Sequence, residues 1–355
     1  MILVTSEILA LITELDEFKG KWQVLNTLAP DHLADLKKVA TIESIGSSTR
    51  IEGSKLSDEE VDRLLSGLET KSFQSRDEQE VAGYADTMNQ IFLSWNMVPF
   101  TENYIKQFHS MLLRYSEKDQ WHKGEYKKNA NHVEAFDSQG KSLGVIFETA
   151  SPFETPNKMA DLVDWTNTML EEGTLHTLFV IAIFTVEFLA IHPFQDGNGR
   201  LSRVLTTLLL LRAGYQYVPY SSLEYVIEMN KDNYYLALRQ SQKTLKTGKP
   251  DYQPWLMFFF QSLKAQKQRL EKRIGSAEKF YNALPALSET ILKLFGHHRR
   301  LSTGEIERQT GESRATIKKR LGELVQAGYL VRHGKGRSTW YSLAARNPIG
   351  STTQY

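Results

Sequence analysis

The stretch that decides the fold runs from Leu175 to Arg203 and reads LHTLFVIAIFTVEFLAIHPFQDGNGRLSR. Its first part, Leu175 to Ala190, is apolar nearly all round, which predicts a buried central helix. Pro193 ends that helix, because the residue before a proline is disfavoured in the helical region. After a glycine-rich loop, the apolar run from Leu201 to Ala213 predicts a second helix that ends at Gly214. The sequence therefore predicts two buried helices joined by a polar loop.

Helical spacing of apolar residues continues on both sides of this stretch, and strand-like alternation is scarce. The predicted fold class is therefore mainly α. The segment from Glu125 to Ser151 differs, because it is rich in Asn, Gly, Ser and His, and it predicts a loop with a small hairpin. The other predicted helices of this body are Leu33–Ile45, Asp58–Leu68, Arg76–Trp95, Thr101–Tyr115, Pro156–Leu170, Asn233–Gln242 and Gln253–Ile274.

Length and composition set the outer limits. A chain of 355 residues favours two or three domains, and a formal net charge of +1 predicts no general attraction to nucleic acid or membrane. The chain has no cysteine, which excludes disulfides and thiolate catalysis. Met1 to Phe18 lacks a basic region, and the apolar run Leu178 to Ile191 is interrupted by Glu187 and is too short to span a bilayer. These features predict a cytoplasmic protein.

The loop between the two central helices has the features of an anion site. Gly197 and Gly199 let the backbone approach a ligand closely, and the start of the following helix presents unpaired N–H groups at its positive end. Arg200 and, one turn later, Arg203 would add charge-assisted hydrogen bonds to phosphate oxygens. The spacing therefore predicts a phosphate cradle.

Two further side chains in the loop suggest chemistry on that phosphate. Asp196 is a hard carboxylate, and such a group beside a polyphosphate usually holds Mg²⁺. His192 can accept a proton from an attacking hydroxyl near neutral pH. Each feature alone is more often structural, but together they predict phosphoryl or nucleotidyl transfer.

The run from His192 to Arg200, followed by Arg203, closely resembles the signature of the Fic family and matches every specified position. The resemblance extends from about Thr101 to Phe260. It implies an all-helical fold and transfer of AMP from ATP to a Tyr, Thr or Ser hydroxyl, with release of Mg-pyrophosphate. It also implies a role for each motif residue: His192 is the base, Asp196 the Mg²⁺ ligand, Gly197, Asn198 and Gly199 the anion cradle, Arg200 the ligand of the outer phosphates and Arg203 its support.

Other parts of the family pattern fall outside this motif. A flap that aligns the target segment by strand addition should lie near Gly144 to Ala150, with a plain surface hairpin as the alternative. Tyr235 and Gln242 resemble the adenine-side segment, although many relatives have asparagine where Gln242 stands. Glu187 is expected to pair with a basic residue in a structural role.

An upstream segment, Ser48 to Gly53, resembles the inhibitory motif of the family, with Ser48 and Glu52 at its specified positions. The resemblance implies that Glu52 pairs with Arg200, removes it from the γ-phosphate and misaligns ATP. A hydrolytic role, in which Glu52 positions water to remove AMP, stays open.

The C-terminal part predicts helix, helix, helix and a two-stranded wing, the order of a winged helix. The helices are Leu287–Phe295, Ser302–Thr310 and Ser313–Ala327, and the wing is His333 to Arg337. The third helix would carry Ile317 and Leu321 inward. Candidate DNA-binding residues are Arg314, Lys318, Lys319 and Arg337, although winged helices also serve as protein-interaction modules.

The predicted organisation has four parts: an N-terminal helical region over 1–95, a Fic catalytic domain over 96–275, a winged helix over 284–345 and a tail over 346–355. The predicted function is a protein adenylyltransferase that uses ATP and Mg²⁺ on a target protein or on itself and is inhibited by Glu52. The alternatives are a DNA-binding regulator with the Fic body as a nucleotide or partner sensor, and a Glu52-dependent deAMPylase. The sequence leaves a homodimer open.

Overall fold

A computed structural model of the chain describes residues 3–28, 30–67, 73, 75–136, 142–283, 286–298, 300–326, 329–334 and 336–344. Within these ranges, no side chain is described at 24–28, 30–32, 132–136, 142–146, 276–283, 289, 296, 297 or 337. The predicted tail, 346–355, lies outside the described residues. The chain divides into two compact units, 1–267 and 268–355.

The fold is mainly helical, as predicted. The helices are α1 (Ser6–Leu28), α2 (Pro30–Ile51), α3 (Asp58–Leu65), α4 (Arg76–Ser94), α5 (Glu102–Leu112), α6 (Thr155–Glu172), α7 (Thr177–Ile191), α8 (Asn198–Arg212), α9 (Leu223–Met229), α10 (Lys231–Leu245), α11 (Gln253–Ala283), α12 (Ala286–His297), α13 (Thr303–Thr310) and α14 (Arg314–Gln326). The strands are β1 (His132–Phe136), β2 (Ser142–Glu148), β3 (Leu301–Ser302), β4 (Leu330–His333) and β5 (Trp340–Leu343).

Helices α7 and α8 form the centre of the first unit. Thirteen residues of α7 are buried, and so are all but one of the residues from Asn198 to Leu211 in α8. The two helices meet directly, because the Thr185 and Thr206 hydroxyls lie 3.0 Å apart between them. The apolar pattern therefore located both helices correctly. The loop between them is anchored at each end by a buried helix.

Helix α2 is longer than the sequence predicted and extends to Ile51. Its last turns contain the small residues Gly46, Ser47, Ser48 and Thr49, and the last three are fully buried. Thr49 satisfies its hydroxyl within the helix by donating to the Ile45 carbonyl at 3.0 Å. Small side chains allow a helix to pack close to its neighbours, so the end of α2 is held against the core.

Helices α1 and α9 are not in the sequence-based prediction. In α1, Phe18 and Trp22 are buried and pack against Tyr217 and Tyr220, with the Trp22 and Tyr220 ring centroids 4.9 Å apart. Helix α4 approaches α5 closely at Gly83, where a Cβ atom would overlap the backbone of Leu112. Both contacts involve segments distant in sequence, which local periodicity does not reveal.

Strands β1 and β2 form the antiparallel hairpin predicted between Glu125 and Ser151. Their register pairs His132 with Glu148 and Phe136 with Ser142, with irregularities at two points. The predicted flap segment, Gly144 to Ala150, therefore begins within β2 and ends just before α6. Only the backbone is described along most of the hairpin.

The second unit has a core of its own. Ile291, Ile306, Ile317, Leu321 and Tyr341 are among the buried residues that helices α12, α13 and α14 and the strands contribute. Ile317 and Leu321 face inward as predicted, with no exposed surface. The wing has three strands in the order β3-β5-β4, because Leu301 and Ser302 add a short strand to the predicted pair.

No helix within the described ranges is long and apolar enough to cross a membrane.

Candidate active site

His192 follows helix α7 at a strained backbone position. It caps the helix with φ 53° and ψ 60° and is the one non-glycine residue with positive φ among the described residues. Its N–H still donates to the Phe188 carbonyl at 2.9 Å. A left-handed conformation costs a non-glycine residue about 1–2 kcal/mol, and such strain clusters at functional sites. The turn ends α7 and leads the chain into the glycine-rich loop.

The imidazole of His192 is neutral and has a defined tautomer. Burial, with the nearby Lys127 ammonium second, lowers the pKa of His192 to about 4. Its Nδ1 lies 3.4 Å from the Leu189 carbonyl oxygen. A carbonyl oxygen can only accept, so this contact places the proton on Nδ1 and leaves the lone pair on Nε2. Nε2 is therefore the atom that can accept a proton.

The loop after His192 is held by amide side chains. Asn198 accepts from the Phe194 N–H at 2.9 Å and donates to the Phe194 carbonyl at 2.7 Å. Asn131 donates to the same carbonyl at 2.8 Å. Asn198 is buried, so its side chain positions the loop, whereas the expectation placed the residue in the anion cradle. Its backbone begins α8, and its role in the anion cradle stays a prediction.

His109, on α5, contacts the same loop. The sequence gave no indication that this residue belongs to the site. Its ring stacks on Phe194 with centroids 3.8 Å apart. Nδ1 accepts from the Gly124 N–H at 2.8 Å, so Nε2 carries the proton and donates to the Asp196 carbonyl at 3.0 Å. Burial lowers the pKa of His109 to about 4, which keeps this arrangement neutral.

Asp196 points its carboxylate at three donors. Oδ1 accepts from the Gly197 N–H at 2.6 Å, and Oδ2 lies 2.9 Å from Arg76 Nη2 and 3.5 Å from Arg200 Nη2. Burial alone would raise the pKa of Asp196, but Arg200, the Gly197 N–H and Arg76 outweigh it and lower the pKa. The carboxylate is thus ionised. Gly197 has φ 79°, and a Cβ there would lie 3.3 Å from Leu112, so the position requires glycine.

The Arg200 side chain is 2% exposed and lies between two carboxylates. Its Nη1 lies 3.0 Å from Glu80 Oε2 on α4, and its Nη2 faces Asp196 one turn earlier in the chain. Its buried Nε makes no hydrogen bond with any described residue. Because a buried guanidinium must be balanced, Glu80 is part of the site although the sequence gave no sign of it.

Arg203 is 4% exposed and connects the site to helix α2. Its Nε donates to Ser48 Oγ at 2.8 Å, and its Nη2 donates to the Ser48 carbonyl at 2.9 Å and to Glu52 Oε1 at 2.7 Å. Burial opposes the charge, but Glu52 outweighs it and raises the pKa of Arg203 above its usual value. The two predicted inhibitory residues, Ser48 and Glu52, therefore both contact the second arginine.

The predicted pairing of Glu52 with Arg200 is wrong. Arg200 lies one turn after Asp196 and faces α4, so Glu80 and Asp196 are its partners. Arg203 lies on the side of α8 that faces the end of α2, and Glu52 reaches it there. The sequence identified the carboxylate but could not distinguish between arginines three residues apart on one helix, which share a similar direction.

The Glu52 carboxylate also lies over Gly199. A Cβ atom placed on Gly199 would overlap Glu52 Oε1 and lie 2.9 Å from Glu52 Cδ. Gly199 is in the first turn of α8, where the helix dipole and free N–H groups favour negative charge. The Glu52 carboxylate thus lies against the first turn of α8, next to the segment that was predicted to hold phosphate.

Arg50 fixes the end of α2 in this position. It forms a two-point contact with Glu228 of α9 at 2.6 and 3.0 Å, and Nη1 donates to Asp58 at 2.9 Å and to the Leu56 carbonyl at 3.0 Å. The guanidinium therefore ties α2 to α9 and to the start of α3. Glu52 comes two residues later, so its place over Gly199 is held by an ion-pair network and not by its own side chain alone.

Lys127 joins the hairpin to the end of α7. Its buried ammonium donates to Asn131 at 2.8 Å, to Thr149 at 2.9 Å and to the Ile191 carbonyl at 3.0 Å. Burial lowers the pKa of Lys127 to about 8. Because these groups lie on both sides of the hairpin and next to His192, Lys127 sets where the hairpin stands relative to the candidate base.

A cleft of ≈ 540 Å³ opens beside the base of the hairpin. Phe147 and Ala150 line it from the hairpin side, and Ala190 and Ile191 line it from the end of α7. Glu187 also lines it, and its hydrogen bond comes from the Tyr252 hydroxyl at 2.5 Å. The predicted basic partner of Glu187 is thus replaced by a phenol, and burial raises the pKa of this carboxyl.

The predicted adenine-side residues lie on α10. Burial, with the Glu52 charge second, raises the pKa of Tyr235 above its usual range. Burial raises the pKa of its neighbour Tyr234 to about 12, although Arg203 acts against this shift. Gln242 is buried on the same helix two turns later, so it shares a face with Tyr235.

Three of the four candidate DNA-binding residues lie on α14 in the second unit. Arg314 is 64% exposed with its nearest carboxylate, Glu307, at 3.8 Å, and Lys318 and Lys319 are exposed. The side chain of Arg337 lies outside the described residues. In the wing, His333 stacks on Trp340 with centroids 3.8 Å apart.

Comparison with known proteins finds a family model that matches part of each unit. Residues 99–210, which contain the whole loop, match the profile of the Fic/DOC family, and residues 290–334 match the IclR helix-turn-helix domain. A probable protein adenylyltransferase from Aquifex aeolicus is 31% identical over 101 residues, which is 28% of this chain and 28% of that protein. Protein adenylyltransferase Fic from Drosophila melanogaster is 29% identical over 50% of this chain and 34% of its own length.

Solved structures are similar over a larger part of the chain. A Fic family protein from Desulfovibrio desulfuricans has a TM-score of 0.64 at 23% identity and covers 97% of this chain and 98% of its own. A Fic-domain signalling protein from Bacteroides thetaiotaomicron has a TM-score of 0.58 at 26% identity, over 73% of this chain and 95% of its own. The similarity of fold thus extends well beyond the segment that the curated relatives match.

Proposed function

We propose that this chain, which contains a Fic domain, is a protein adenylyltransferase whose activity Glu52 holds back. One observation carries the proposal: a strained histidine turn leads into a glycine-rich loop and a helix whose first two turns hold two buried arginines and lie against the Glu52 carboxylate. The relatives named protein adenylyltransferases match only about a third of their length or less, so activity and substrate are proposed for this chain.

The reaction would be an in-line displacement at phosphorus. A Ser, Thr or Tyr hydroxyl of the target forms a bond to the α-phosphorus of ATP, and the bond from that phosphorus to the bridging oxygen of the β-phosphate breaks. The hydroxyl proton passes to Nε2 of His192, and pyrophosphate leaves. The products are the adenylylated protein and pyrophosphate.

Mg²⁺ is proposed to bind at Asp196. Among the described residues no group of three or more acidic or imidazole side chains could hold a metal by itself. One ionised carboxylate next to a polyphosphate site nevertheless fits magnesium, which commonly takes one or two carboxylates and completes its shell with substrate phosphates and water. The ion would neutralise the charge on the departing pyrophosphate.

Glu52 would act as a brake by occupying the phosphate cradle. The carboxylate takes the place of an oxyanion over Gly199 and engages Arg203, so an outer phosphate can use neither while Glu52 stays. ATP would then bind only with its α-phosphate out of line, and misalignment alone can cost about 100-fold in rate.

The target segment is proposed to enter between the hairpin and the cleft beside it. An extended peptide could add to a free edge of the hairpin by backbone hydrogen bonds. The cleft is large enough for a side chain of that peptide, and Ala190 and Ile191 place it directly before His192. The hydroxyl would then lie near Nε2.

Transfer of label from ATP to protein tests this function. In a Glu52→Gly background with Mg²⁺, label on the α-phosphate should appear on the chain or on lysate proteins, and label on the γ-phosphate should not. Adding His192→Ala should reduce transfer about 1,000-fold while nucleotide binding, measured by calorimetry, stays. His176→Ala, at the other end of α7, is the matched control.

Two outcomes would redirect the assignment. If no variant transfers the α-label while ATP still binds, the proposed activity fails and a nucleotide-sensing role leads, which the IclR helix-turn-helix match would favour as a DNA-binding regulator. If wild type removes AMP from a pre-labelled protein and Glu52→Gly does not, Glu52 positions water and the chain is a deAMPylase.

A further inference from the structure

Arg76 contacts the carboxylate that is proposed to bind the metal. Its Nη2 lies 2.9 Å from Asp196 Oδ2, which is closer than Arg200 comes to the same oxygen. Arg76 is the first residue of α4, after the cap Ser75. A cation in the first turn opposes the helix dipole, so this arginine needs nearby carboxylates to hold its position.

Four charges form a closed ring across the site. Arg76 Nε lies 2.7 Å from Glu80 Oε1, Glu80 Oε2 lies 3.0 Å from Arg200 Nη1, and Asp196 contacts both arginines. Two residues come from α4 and two from the loop and α8, each pair one turn apart. The two arginines and two carboxylates of the ring have no net charge. A divalent cation bound at Asp196 would therefore give this group of side chains a net positive charge.

Burial divides the ring into a fixed half and a movable half. The side chains of Arg200 and Glu80 are 2% and 10% exposed, whereas those of Asp196 and Arg76 are 36% and 48% exposed. An ion from solvent can therefore reach Asp196, and the Arg76 guanidinium can leave it. Glu80 remains as a partner for Arg76 after that movement, because it binds a different nitrogen of the guanidinium.

We propose that Arg76 is a built-in counter-cation that occupies Asp196 Oδ2 when no metal is bound and competes with Mg²⁺ for this oxygen. The proposal rests on the proposed function only in taking Asp196 as the metal ligand. If the Arg76 guanidinium and a metal ion both contacted Oδ2, the two cations would lie next to each other and repel. Metal binding therefore requires the outer half of the ring to open, and Arg76 lowers the affinity of the site for metal.

The test measures metal binding directly. Mn²⁺ is titrated into Glu52→Gly protein that holds an ATP analogue with a methylene bridge between the α- and β-phosphates, and free Mn²⁺ is followed by electron paramagnetic resonance. Arg76→Gln should bind Mn²⁺ about two- to fivefold more tightly, the range expected for release of a partly exposed ion pair. Arg76→Lys, which keeps the charge, should bind about as the parent does. Arg114→Gln is the control, because Arg114 is an exposed arginine 3.6 Å from Asp86.

The outcomes are distinguishable from those of the proposed function, since no transfer is measured. Tighter Mn²⁺ binding in Arg76→Gln and weaker binding in Asp196→Asn support the counter-cation even if no AMP is transferred. An unchanged or weaker affinity in a folded Arg76→Gln protein, checked by its melting temperature, overturns it. An Mn²⁺ affinity that Asp196→Asn leaves unchanged also overturns it, because the phosphates of the analogue alone would then hold the metal.

Discussion

Helices α8 and α14 both present basic residues near their first turns, and they differ in how these residues are held. In α8, Arg200 and Arg203 are almost fully buried and each is engaged by carboxylates and, for Arg203, by Ser48. In α14, Arg314 is 64% exposed and Lys318 and Lys319 face solvent. A buried, fixed cation can orient one phosphate for a reaction, whereas an exposed cation contributes affinity that salt screens.

The largest expected difference between the two helices is in catalysis. In the Glu52→Gly background, Arg203→Gln should reduce AMP transfer about 100-fold, because it removes a positioned donor from the phosphate site. Arg314→Gln should leave the rate as it was. Initial rates with α-labelled ATP measure both. Equal effects of the two substitutions would show that burial and fixed geometry do not separate the two helices.

Burial in the first unit also predicts a pH dependence of stability. His192 and His109 each have a folded pKa of about 4, below the ordinary 6.5, so the unfolded chain binds more protons between these values. Stability should therefore be complete above pH 6.5 and fall as the pH drops toward 4, by about 1–3 kcal/mol for each histidine. Urea unfolding of wild type and His109→Gln should show a shallower decline in the variant. A stability that rises on acidification in this window would contradict the buried neutral histidines.

The exposed helix should show the smaller, salt-dependent effect. If α14 contacts DNA, replacing Lys318 and Lys319 with glutamine in the full chain should weaken binding to mixed duplex DNA and reduce the slope of log affinity against log salt by about 2. Replacing the exposed Lys118 and Lys128 in the same way is the control. No binding by wild type at low salt would remove DNA as the ligand of this helix.

The sequence revealed most of what depends on local pattern. The all-round apolar run gave the central helix, Pro193 and the glycines gave the turn, and Ile317 and Leu321 were correctly placed in the core of the winged helix. Periodicity gave no sign of α1 or α9, because their stability comes from contacts such as Trp22 with Tyr220 across the fold.

The parts of the site that sequence missed come from other elements. Four supporting residues lie 65 to 116 residues before His192 and have no spacing relation to the loop: Arg76, Glu80, His109 and Lys127. Their roles arise from tertiary contacts such as the stacking of His109 on Phe194. The same limit explains why Glu52 was predicted to pair with Arg200. A motif identifies the glutamate, but the packing of α2 against α8 decides that it contacts Arg203.

The most direct test of the account compares the initial rate of AMP transfer in wild type, Glu52→Gln and Glu52→Gly at saturating Mg-ATP. We expect Glu52→Gly to be faster than wild type by about 100-fold, because Gly199 and Arg203 become free to contact phosphate. Glu52→Gln, which keeps the shape and loses the charge, should lie between them. Equal rates in wild type and Glu52→Gly, with both proteins folded and binding ATP, would contradict the claim that Glu52 holds the enzyme in check.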